Sequence, residues 1–245
     1  MARYSNERPL RVFTAFSGYD SQCLALERLK GKREGFDYEL VGWSEIEPNA
    51  IKAHNLLFPM WADRNYGDIS KIDWDSAPDF DLFTYSSPCT DFSTAGLQKG
   101  GQEGSCTRSS LLWECRKAIV AKRPAYCMLE NVKALTHKKF MPLFQKWCDE
   151  LDSYGYTNHW QILNAKDYGV PQNRERVFLI SVRKDMAGDF HYGYKFPKPF
   201  PLERHLEDVL EPECDIPRSY YISEKSKAYF REHCDTNMVK LLGDV

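Results

Sequence analysis

An α/β fold, a mostly parallel sheet with helices on both faces, is what this 245-residue sequence predicts. Three observations carry the expectation. Short apolar runs rich in β-branched and aromatic residues alternate with amphipathic stretches of helical length. Tight polar links join the runs to the stretches that follow, and acidic or nucleophilic residues recur at those joints. In sheets of this kind ligands bind beyond the carboxyl ends of the strands.

The elements follow in chain order. Leu10 to Phe16 is a buried strand, and Ser17-Gly18-Tyr19-Asp20 turns it into an amphipathic helix over Ser21 to Lys30. Tyr38 to Trp43 is a second strand ending at Ser44-Glu45, and Pro48 opens a helix that runs to Leu57, proline being favoured in a first turn. The link Gly67-Asp68-Ile69-Ser70 precedes a third strand, Phe80 to Tyr85. After a Gly-rich stretch, Ser109 to Ala121 reads as a helix, Tyr126 to Glu130 as a strand and Phe140 to Ser153 as a helix. Tyr156 to Leu163 and Arg176 to Val182 are the last strands, with Asp167 to Glu175 as the turn between them. From Lys195 the pattern changes: a proline-punctuated loop, FPKPFP, leads to short helical pieces such as Ser223 to His233. The expected organisation is therefore a core over residues 1–195 and a C-terminal extension over 196–245.

Bulk properties narrow the function. Hydrophobic content of 42% and charged content of 28% are ordinary for a globular protein, and no apolar run approaches the ~20 residues that span a bilayer. The N-terminus lacks the apolar core of a signal peptide, so the expected location is cytoplasmic. Eight scattered cysteines without a C-x-x-C pair suit reduced thiols and argue against zinc. A net charge of −2 announces no polyanionic partner globally. Local basic clusters remain, Lys133, Lys138 and Lys139 in one and Arg174, Arg176 and Arg183 in another, and either could be a solvated face.

The candidate chemistry sits at the joints. In Ser86-Ser87-Pro88-Cys89-Thr90-Asp91-Phe92-Ser93, Cys89 is either a small buried hydrophobe, the commoner fate of a free cysteine, or a nucleophile on a rigid loop. Glu130 and Asn131 end a buried strand, where burial raises the pKa of a carboxyl and makes it a usable proton donor. Arg174 and Arg176 alternate on entry to a strand and so share a face. Glu45 follows the second strand, where nucleotide-binding folds place an acid for ribose hydroxyls. Each feature alone has an ordinary reading as a helix cap or a surface ion pair. Together they favour a site.

PCTDFS, LENV and QNRER, in this order and spacing, resemble the signature blocks of the cytosine-C5 DNA methyltransferases. FTAFSGYDSQCLALE, SEIEPNA and GDIS resemble that family's cofactor-binding blocks, and LNAKDYGVPQNRERVFLI its late core segment, so that the likeness covers about residues 10–200. The resemblance implies a Rossmann-like fold that binds S-adenosylmethionine and acts on double-stranded DNA, often within a restriction system. It implies that Cys89 adds to C6 of a flipped cytosine while Glu130 holds or protonates N3, Arg176 holds O2 with Arg174 beside it, and Asn131 shapes the pocket. For the cofactor it implies Phe16 against adenine, the backbone of Gly18, Tyr19, Asp20 and Ser21 around the methionine end, and Glu45 on the ribose. Asp68 would take the adenine amino group, Ile46 and Ile69 the ring faces, and Pro88 and Leu111 the remaining wall.

The chain departs from the family pattern in three places. The first loop in the family is of the form F-x-G-x-G-G; here Asp20 and Ser21 replace the last two glycines, which limits left-handed geometries, and Asp20 could instead cap the following helix. Ile46 stands where an aromatic is common. Within the residues after the core, neither a target-recognition region nor a Gly-Asn-Ser-Val type segment is expected. A split enzyme with a second subunit, a truncation and a relative that no longer methylates are the readings this leaves, with a tRNA methyltransferase as the alternative on substrate.

Overall fold

The structure is a computed structural model and describes residues 4–88, 108–186, 193–212 and 215–233. Leu10–Ala15 (β1), Tyr38–Ser44 (β2), Leu82–Tyr85 (β3), Tyr126–Val132 (β4), Tyr156–Asn164 (β5) and Glu175–Arg183 (β6) form one sheet in the order β2-β1-β3-β4-β6-β5. The first four strands run parallel, and β6 lies antiparallel to both β4 and β5. The helices are Ser21–Lys32 (α1), Pro48–Leu57 (α2), Cys115–Lys122 (α3), Met141–Ser153 (α4) and Glu224–His233 (α5).

Alternation along β1 separates two apolar layers. Phe13 and Ala15 face a core with Trp74, Phe83, Trp113 and Trp147, whereas Val12 faces a second core with Cys23, Leu40, Trp43 and Phe58. The β1–β2 register slips between Val12 and Phe13, so that Phe13 pairs with Gly42 and Thr14 with Trp43. Gly42 is required there, because a Cβ would lie 2.5 Å from the Phe13 ring and 2.9 Å from that of Tyr66.

Two elements differ from expectation. Over 109–121 the chain forms a 3-10 segment, Arg108–Glu114, before α3 begins. Ser109, Leu112, Cys115 and Ala118 are all fully buried, and this spacing of three seats one side of a 3-10 turn against the core. The strand expected to end at Glu130 continues to Val132, because β6 pairs with it as far as Val132 opposite Arg176.

The chain divides into two units, Met1–Pro201 and Leu202–Val245. The division falls after the proline-rich loop because that loop is tied to the first unit. Phe200 N–H donates to the Asp167 carbonyl and the Tyr168 hydroxyl to the Pro197 carbonyl. Among the described residues no helix is long and apolar enough to cross a membrane.

Candidate active site

Beyond the carboxyl ends of β1, β2 and β3 lies a cavity of about 220 Å³. Its wall comprises Phe16, Ser44, Glu45, Ile46, Glu47, Gly67, Asp68, Ile69, Pro88 and Leu111. Seven of these residues, all but Ser44, Glu47 and Gly67, are cofactor contacts that the family resemblance implies. The three missed residues belong to the same stretches, and the signal was adjacency: Glu47 caps α2 through a bond from Ala50 N–H, and Gly67 precedes Asp68.

The acidic groups of this wall are held in place by backbone donors. Glu45 accepts from Gly18 N–H at 2.9 Å with one oxygen and from Ile46 and Glu47 N–H at 2.8 and 2.9 Å with the other. The carboxylate thereby joins the β1–α1 turn to the start of α2 and still has lone pairs to offer. Asp68 accepts from the Ser70 hydroxyl and N–H, and these bonds, in that order, hold its carboxyl below the usual range. Ile46, Ile69, Leu111 and Phe16 supply apolar surface around these acceptors.

The other cofactor candidates lie outside the wall. Gly18 reaches it only through Glu45, Tyr19 is exposed, and Ser21 opens α1. Asp20 is turned inward: its side chain is fully buried, accepts from Cys23 N–H and the Thr14 hydroxyl, and caps α1. Asp20 also takes a left-handed backbone (φ 65°), a conformation aspartate tolerates better than most residues.

Cys89 lies outside the described residues, but its approach is well defined. Pro88, its neighbour, lines the cavity. Ser87 is buried, and the Asn131 amide donates to its carbonyl at 3.1 Å and its hydroxyl at 3.3 Å. Asn131, 3% exposed, thus braces the loop leaving β3 against β4. Glu130, next to Asn131, faces the opposite side of the strand and meets Arg176, with Nε 3.2 Å from the carboxylate. The expectation of a buried acid is corrected here, since the Glu130 side chain is 22% exposed and that of Arg176 23%. Position 130 falls on the less covered face of β4, where the cross-strand pairs Glu130–Phe178 and Val132–Arg176 place both groups side by side.

Arg174 lies just before β6, exposed, with no ion pair among the described residues. The basic clusters are less open than the sequence suggests. Lys133 is bound to both oxygens of Glu175, and Arg183 sits at the far end of β6 paired with Asp185. Among the described residues no group of three His, Cys, Asp or Glu side chains could hold a metal.

A family model for C-5 cytosine-specific DNA methylases matches residues 10–240. The chain is 39% identical to the type II methyltransferase M2.ScrFI of Lactococcus lactis subsp. cremoris, over 87% of this chain and 70% of that protein. It is 38% identical to the orphan methyltransferase M.Rho11sI of Bacillus phage rho11s, over 92% of this chain and 48% of that one. Its fold is similar to that of the S. pombe Dnmt2 methyltransferase, with a TM-score of 0.64 at 21% identity over 92% of this chain and 66% of that structure. The chain therefore spans between about half and about seven tenths of the length of these relatives. With a match running almost from end to end, the chain belongs to the C-5 cytosine-specific DNA methylase family, whose methyl donor is S-adenosylmethionine.

Proposed function

We propose that this chain carries the catalytic part of a DNA cytosine-5 methyltransferase, with Cys89 as nucleophile and the cavity as the S-adenosylmethionine site. The observation that carries the reading is the continuity from cavity to strand pair. Pro88 is in the wall, Ser87 is held by Asn131, and the residue before Asn131, Glu130, is paired with Arg176.

The wall suits the donor. Carboxylates of Glu45 and Asp68 accept from hydroxyl and amino groups, apolar side chains flank a purine, and the local negative charge favours a cation. When bound, S-adenosylmethionine supplies an electrophilic methyl group. The residues of the chain prepare the base: the Cys89 thiolate adds to C6, Glu130, once it has taken up a proton, donates it toward N3, and Arg176 holds O2 and offsets the charge that accumulates on the ring. Addition makes C5 nucleophilic. Once C5 is methylated, a base takes the C5 proton as the C6–S bond breaks, the thiolate leaves, the N3 proton returns to Glu130 and the aromatic ring is restored. Glu130 and Arg176 already touch, so Arg176 also fixes the rotamer of the acid. The target cytosine must leave the duplex, at a cost of a few kcal/mol.

The test is transfer of labelled methyl groups from S-adenosylmethionine to duplex DNA and, separately, to tRNA. Because the chain is shorter than its relatives, a second arm adds a polypeptide supplying the rest of their length. Label in DNA, lost in Cys89→Ser, supports the reading. Label in tRNA alone overturns the substrate assignment, and label in neither, with the donor bound, favours a non-catalytic relative.

A further inference from the structure

The β1–α1 turn beside the cavity carries left-handed residues at alternate positions, Phe16 (φ 56°), Gly18 (φ 59°) and Asp20 (φ 65°). Two of them are not glycine, so the turn is strained and needs support from its surroundings. Much of that support is a buried polar cluster behind it. The Thr14 hydroxyl donates to the Asp20 carboxylate at 2.7 Å and lies 2.9 Å from the Ser17 hydroxyl, while Ser17 N–H donates to the Ser44 carbonyl.

The one cationic or potentially cationic side chain paired with Asp20 among the described residues is His54, on the last turn of α2. Its Nε2 is 3.7 Å from the carboxylate, both side chains are wholly buried, and this nitrogen has no hydrogen-bond partner. The imidazole lies on the Trp43 indole with centroids 3.7 Å apart, and Trp43 is the sheet partner of Thr14. The β1–β2 register slip thus puts the residue that seats His54 beside the residue that holds Asp20. The other ionisable neighbours, Cys23, Glu27 and Tyr38, are acids. Burial, followed by the charge of Asp20, pushes the Cys23 thiol up, and the Tyr38 hydroxyl donates to Glu27.

We infer that His54 is a positioning residue for the cofactor turn, its buried Nε2 directed at Asp20 so that α2 holds the strained Phe16–Asp20 backbone in its binding shape. Where the family pattern has glycine, Asp20 takes a left-handed backbone and adds a buried carboxylate, and His54 is the group that faces it. The inference rests on the cavity being the S-adenosylmethionine site.

The test is a double-mutant cycle read by calorimetric binding of S-adenosylmethionine and by the melting temperature of the free chain. His54→Phe keeps the stacking on Trp43 and removes the nitrogen; Asp20→Gly keeps the backbone and removes the carboxylate. His54→Phe weakens binding roughly tenfold in the wild-type chain and less than twofold in the Asp20→Gly background. His54→Gln, which returns a polar nitrogen to the site, recovers part of the loss. An equal effect in both backgrounds, or a lower melting temperature with unchanged affinity, overturns the inference and leaves His54 as core packing. A wild-type chain that binds no donor instead overturns the cofactor assignment beneath it.

Discussion

Asn131 shows how much a single buried amide can decide. It donates to both the carbonyl and the hydroxyl of Ser87 and accepts from Val132 N–H, so that nearly all of its capacity is used inside the protein. Asn131→Ala leaves the buried Ser87 groups unpaired, and the expected cost is about 1–3 kcal/mol by chemical denaturation. Donor affinity should stay within about threefold while methyl transfer falls at least tenfold, because the loop, not the cavity, is released. The described thiols make a contrasting prediction. Cys23, Cys115, Cys127 and Cys148 are buried, and desolvation pushes each thiol up, that of Cys148 to about 12. A thiol with a raised pKa stays protonated and unreactive until the pH approaches that value, so alkylation of the native chain at pH 8 should spare all four. Mass spectrometry of the alkylated peptides checks this.

At the scale of elements, the β1–β2 pair is the part least tolerant of change. Gly42→Ala drives a methyl group into the Phe13 and Tyr66 rings, and overpacking of this kind costs about 1–3 kcal/mol. The denaturation midpoint should fall with little change in the slope, and donor binding should weaken because Ser44 and Glu45 follow directly. These elements were largely legible in the sequence: apolar runs gave the six strands, and the residues just past β1, β2 and β3 gave most of the cavity wall. The failures have physical causes. A spacing of three from Ser109 to Ala118 suits a 3-10 turn as well as the start of an α-helix, and only the fit against the core decides between them. Glu130 reads as buried because its strand is apolar, whereas strand alternation puts it on the more open face. The Asp20–His54 pair joins residues 34 positions apart through a register slip, which no local pattern encodes.

Over the whole molecule, stability is concentrated in the sheet and its two apolar layers. Val12, Phe13, Phe83 and Leu129 are inaccessible to solvent, whereas α5 in the second unit buries no residue. Hydrogen exchange should therefore be slowest in β1, β3 and β4 and faster by orders of magnitude over Glu224–His233. Equal protection in the two regions would contradict this distribution. The central claim joins the cavity to chemistry at Cys89, and covalent trapping tests it most directly. A duplex containing 5-fluorocytosine in its target site has no C5 proton to lose, so methyl transfer strands the base on the sulfur. With S-adenosylmethionine present, and with the complementing polypeptide where the chain alone is silent, an adduct resistant to denaturation is predicted at Cys89 and none in Cys89→Ser. An adduct that persists in Cys89→Ser, or none in the wild-type chain with donor, duplex and complementing polypeptide all bound, would contradict the account.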